Sequence, residues 1–117
     1  MNKENYLKIR KQLIKLADGI MDAKQPEYTN NHVDVLHNFK SSAERAGIDP
    51  LQCWVVLLDK HIQSIFTHAK NPNMIEAEPI ESRYADAINY LVLGLALSVD
   101  RNKALHEDLN LIYKSIE

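Results

Sequence analysis

Apolar residues in this chain recur at steps of three and four wherever a period can be read, and little interrupts them. Only three glycines and four prolines punctuate the 117 residues, and both features favour helices. A first helix is predicted from about Asn5 to Met21 or slightly beyond. Leu7, Ile9, Leu13, Ile14, Leu16, Ala17 and Ile20 form its apolar face, with Lys and Arg over much of the rest. Gly19 weakens its last turn, and Pro26, in a polar connection from Lys24 to Asn31, breaks it. Asn30 or Asn31 then caps a second helix from about His32 to Ala46. This helix buries Val33, Leu36, Phe39 and Ala43 and ends at Gly47.

The third helix carries the strongest signals. Asp49 caps it, Pro50 suits its first position, and Leu51, Trp54, Val55, Leu58, Ile62, Ile65 and Phe66 make a broad apolar stripe. It should stop near Lys70, before Asn71-Pro72-Asn73. A fourth helix starts around Pro79-Ile80-Glu81 and runs to about Val99. A last amphipathic one covers about 103–116 through Leu105, Leu109, Ile112 and Ile116. The expected fold is all-α, a four- to five-helix antiparallel bundle in a single domain spanning 1–117, its core at about 5–100. Trp54, Leu58, Ile62, Ile88, Leu91 and Leu95 should be buried where the third and fourth helices meet. Val56, Leu93 and Leu97 are surplus to what a monomer can cover, so a homo-oligomer, a dimer or larger closed assembly, is expected.

Composition narrows the function classes. Hydrophobic residues at 45 % and charged residues at 26 % are ordinary for a globular chain. A net charge of −2 leaves no electrostatic footprint for nucleic acid. The longest strongly apolar stretch, Tyr90 to Val99, is about half of what a membrane span needs. The one cysteine, Cys53, cannot form an intramolecular disulfide and lies in an apolar run, as a small core residue would. With no apolar signal region in Met1–Tyr6, a cytoplasmic protein is expected.

Polar groups interrupt the pattern at two places. On the fourth helix, apolar almost all round from Tyr84 to Leu97, Asp86 and Asn89 are neighbours on one surface. On the third, Asp59, Lys60 and His61 follow four apolar residues, with Gln63, Ser64 and His68 continuing the polar side. The expected arrangement is a pocket in which Lys60 and His61 face Asp86 and Asn89; a solvated strip is the plainer alternative. His61 and His68 stand about 10 Å apart along a helix, too far to share a zinc ion. Glu76 and Glu78 are accounted for by the helix dipole. Glu81 and Asp86 lie about 140° apart around the helix, so a metal held by both needs ligands from elsewhere.

The runs Asn38-Phe39-Lys40-Ser41-Ser42-Ala43, Asp49-Pro50-Leu51-Gln52-Cys53-Trp54, Asp59-Lys60-His61, Glu78-Pro79-Ile80-Glu81-Ser82-Arg83 and Asp86-Ala87-Ile88-Asn89-Tyr90-Leu91 resemble a group of small bacteriophage and prophage proteins. Those in turn resemble the all-α nucleoside triphosphate pyrophosphohydrolases, the superfamily of MazG and the dimeric dUTPases. The resemblance covers roughly Asp22 to Asp100. It implies a MazG-like bundle whose carboxylates bind Mg2+ and whose substrate is a nucleotide cleaved between its α- and β-phosphates. Magnesium suits that chemistry because it takes oxygen ligands and bridges phosphates.

Carried over by position, Asp86 matches the final acid of the superfamily pattern and is the implied metal ligand, with Glu81 a possible second. Arg83 stands where another acid is expected, and Asp59-Lys60-His61-Ile62 replaces a Glu-x-x-Glu. The exchange yields a site able to grip phosphate directly, through Arg83, Lys60, His61 and Lys40. Asn89 would bond sugar or phosphate, and Tyr28 and Tyr90 would stack on a base. Three readings stay open: a small hydrolase of this kind or its degenerate descendant, a non-catalytic nucleotide-binding protein that sequesters its ligand, and a helical interaction module.

Overall fold

A computed structural model describes the backbone of residues 1–29, 33–75 and 77–102, and the side chains of all of these but 25–29. Among them the chain is helical without strands: α1 (Lys3–Thr29), α2 (His37–Ala46), α3 (Pro50–Lys70) and α4 (Ile80–Arg101). The expected C-terminal helix at 103–116 lies outside the described residues.

Local chemistry explains most boundaries. The Asp49 carboxylate accepts from Leu51 N–H at 2.9 Å, and Gln52 reaches back to Asp49 N–H at 3.3 Å. This reciprocal box with Pro50 inside it fixes the start of α3. Gly47 ends α2 at φ 69°, and Ile48 N–H reaches back to the Ala43 carbonyl at 3.0 Å. Only a residue without Cβ accepts that conformation cheaply.

Two boundaries differ from expectation. Helix α1 passes through Pro26 to Thr29. Proline there forfeits one bond, to the Asp22 carbonyl, and with so few residues left the loss does not end the helix. Helix α2 starts at His37 rather than about His32. Asp34 builds a turn instead: its carboxylate accepts from Leu36 N–H at 2.9 Å and its carbonyl from His37 N–H at 3.1 Å. Val33, expected in the core, is therefore exposed.

The pairs Trp54–Tyr90, His61–Tyr90 and Ser64–Arg83 descend α4 as they climb α3, so the two helices are antiparallel. Helix α1 packs on α4, and α2 lies chiefly over α3. Leu36, Phe39 and Leu97 form the core, with Leu51, Trp54, Tyr90, Leu93 and Ala96 packed around them. Small residues bring the helices close: Ala17, Ala43, Ala85 and Ala87 are buried. Gly94 lies directly beneath the indole of Trp54, whose N–H donates to the Tyr90 carbonyl at 2.6 Å.

The core is smaller than the sequence suggests. Trp54, Leu58, Ile62 and Ile88 are half-buried, but Leu91 and Leu95 are 53 % and 49 % exposed. The arc of α4 that meets α3 is taken by Tyr90 and Gly94, which leaves Leu91 and Leu95 further around the helix, with about 100° per residue. Leu97, expected as surplus, is buried, and Leu93 is half-buried; Val56 is exposed. On α1 only Ala17 of the apolar face is buried, and residues 1–12 are all exposed.

Candidate functional site

The polar residues of α3 and α4 meet along one seam. Arg83 donates to Ser64 Oγ. The His61 ring lies on that of Tyr90, centroids 4.5 Å apart and planes inclined by 35°. Tyr90 in turn meets Phe39 edge-on at 6.3 Å. Burial lowers the His61 pKa below its ordinary value; Lys60 and Lys24 act in the same sense, while Asp86 and Glu78 pull it back. Half-buried Asp86 lies near enough to act on it.

Other expected members are elsewhere. Asn89 turns away from α3: buried, it donates from Nδ2 to the Ala17 carbonyl at 2.8 Å and ties α4 to α1. A buried amide needs a partner, and here a carbonyl of α1 supplies it with its second lone pair. The Lys40 ammonium lies between Asp34 at 2.6 Å and Asp100 at 2.9 Å, joining the turn before α2 to the end of α4. Its hydrogen bonds to those two carboxylates, opposed by partial burial, raise its pKa above the ordinary lysine value. Lys60 and Glu81 are exposed, and the Tyr28 side chain lies outside the description. Among the described residues no group of three or more His, Cys, Asp or Glu could hold a metal ion.

A concavity of about 680 Å³ lies between α1, α2 and α4. Phe39 and Tyr90 form part of its wall, beside Ile14, Val35, Leu57 and Leu93. Its polar groups among the described residues are Asp18 and Asp22 from α1, Asn38 and Ser42 from α2, and Asn89 from α4, with no lysine or arginine among those described. Of the residues singled out in sequence, Asn89 and Tyr90 reach it. Asp18, Asp22, Asn38 and Ser42 were missed. Each pair is spaced i, i+4, which puts both members on one helix face, but an isolated helix gives no sign of which face will line a cavity.

Tyr90 belongs to both places, its ring lining the cavity and covering His61 on the seam. An apolar hollow with a few convergent polar groups is the usual form of a small-molecule site, and its volume falls within the ordinary range of roughly 300–1,000 Å³. The chain matches no family model, no curated protein and no solved structure. Among the described residues no helix is long and apolar enough to cross a membrane.

Proposed function

We propose that this chain is a nucleotide-binding protein that holds its ligand without hydrolysing it, with the nucleoside in the α1–α2–α4 cavity. The observation that carries the reading is the cavity itself: about 680 Å³, with Phe39 and Tyr90 in the wall and the amides of Asn38 and Asn89 among its polar groups. Aromatic rings offer faces to a base, and amides match the mixed donors and acceptors on its edge. Asp18 and Asp22 repel phosphate from the α1 side, so the phosphates leave past Tyr90 toward Arg83 on the seam. The resemblance to pyrophosphohydrolases supports the ligand class. Arg83 at an acid position, with Asp86 set against a histidine rather than further carboxylates, supports binding over cleavage.

The test is a thermal-shift screen against nucleoside mono-, di- and triphosphates and cyclic nucleotides, with and without Mg2+, followed by chromatography of the ligand. One class should stabilise the protein and be recovered intact; at a hundredfold excess over Kd the gain is about 2.7 kcal/mol. Asn38→Ala should weaken that stabilisation while leaving the unliganded melt close to wild type. Magnesium-dependent release of monophosphate and pyrophosphate would restore the hydrolase reading. No shift with any nucleotide refutes the proposal.

A further inference from the structure

Helix α4 carries a second apolar face that nothing in the described chain covers. Tyr84, Ile88, Leu91 and Leu95 follow one another at steps of four, three and four, the spacing of a seam between two helices. Tyr84, Leu91 and Leu95 are exposed, as is Val92 beside them at 63 %. On α3, Val55 and Phe66 are exposed as well; about 100° per residue places them on the side opposite Leu57, away from the cavity. Roughly half of six large apolar side chains comes to roughly 500 Å² per copy, near the upper end of what a monomer exposes. Doubled across a two-fold axis it reaches about 1,000 Å², the threshold of a specific interface.

Charge decides what covers it. From Tyr84 to Val99 the only charged residue is Asp86, which lies at the α3 seam. Two such faces can therefore meet without like charges opposing each other. The other uncovered stripe, Tyr6, Ile9, Leu13 and Leu16 on α1, differs: Lys3, Lys8, Arg10, Lys11 and Lys15 accompany it against Glu4 alone. A copy of that helix would be repelled.

We propose that the α4 face is a two-fold interface with a second copy of this chain, and that the second copy completes the cavity. Ile88 and Val92 belong both to the α4 face and to the cavity lining. A partner seated on α4 therefore borders the cavity and shields that part of its wall from water. The assembly rests on the apolar face and not on the identity of the ligand.

Sedimentation velocity at about 20 µM tests it. The wild type should sediment at twice the 13.4 kDa chain mass, and Leu91→Lys/Leu95→Lys should halve that mass with an unchanged helical spectrum, because both residues are surface residues of the single copy. Leu7→Lys/Ile9→Lys, on the α1 arm, should remain dimeric. A monomeric wild type overturns the proposal; if the α4 variant then also melts below it, the cover is residues 103–117 of the same chain. Dissociation by the α1 variant alone overturns it too, and moves the interface to α1.

Discussion

Gly94→Ala should destabilise this protein, although the same change in an open helix would stabilise it. Alanine is favoured over glycine by about 1 kcal/mol inside a helix. A Cβ at position 94, however, would overlap Cζ2 and Cε2 of Trp54 and lie 2.9 Å from Cη2. The indole cannot simply step aside, because its N–H donates to the Tyr90 carbonyl one turn earlier on the same helix. Overpacking of this kind costs about 1–3 kcal/mol, and losing the indole hydrogen bond adds about 0.5–1.5 kcal/mol. Set against the propensity gain, the net loss is about 0.5–3.5 kcal/mol, centred near 2. For a chain of this size that lowers Tm by about 8 °C.

The assay is thermal and urea denaturation followed by far-ultraviolet circular dichroism, at fixed protein concentration because assembly would shift both transitions. The sharper form is a double-mutant cycle. In a Trp54→Leu background the ring is gone, the new methyl meets no obstacle, and Gly94→Ala should become stabilising by up to about 1 kcal/mol. A stability for Gly94→Ala equal to or above wild type, or the same sign in both backgrounds, would refute the close approach of α3 and α4.

Asn89→Ala removes the donor to the Ala17 carbonyl and should cost about 1–2 kcal/mol by urea denaturation; a neutral effect would mean that Asn89 does not tie α1 to α4. His61 is held below its unfolded pKa of 6.5, so the unfolded chain binds the extra proton. Its contribution is intact above pH 6.5 and is lost as pH falls through that value toward the lower folded pKa. His61→Gln should therefore flatten the stability profile below pH 6.5, and an unchanged slope would count against burial of the ring. Lys40 shifts the other way: its tie to Asp34 and Asp100 is present below pH 10.5 and fades as pH rises through the higher folded value. Being partly exposed, the tie should be worth under about 1 kcal/mol and weaken with salt, which Lys40→Met compared at two ionic strengths will show.

Features encoded within a few neighbouring residues were legible in the sequence. Asp49 and Pro50 start α3, Gly47 ends α2, and Pro79 precedes α4, because each acts on backbone groups within one turn. The cavity was not legible, for Asp18, Asn38 and Asn89 meet only after three helices have packed. Asn89 illustrates the reason. Spacing placed it beside Asp86 and suggested that both face α3, but neighbours three apart still differ by about 60° around a helix. That angle is enough for one to reach the α3 seam and the other the α1 backbone. The size of the core was overestimated for a related reason. Periodicity marks every apolar face of α4, but does not say which is covered within the chain and which is left for another.

Tyr90 is where these levels join. Its carbonyl accepts from the Trp54 indole, its ring covers His61 and meets Phe39, and the same ring lines the cavity. A ligand against that ring cannot displace it without disturbing the contact that buries His61. Nor can α3 slide along α4 without moving the indole that rests on Gly94 and bonds to residue 90. The wall of the cavity is thus set by the α3–α4 contact, while its polar groups are set by α1 and α2. Ile88 and Val92 join its lining to the apolar face of α4. The glycine at 94 that looks like a weak point in the longest apolar run of the sequence is what allows α3 close enough to hold Tyr90 in place.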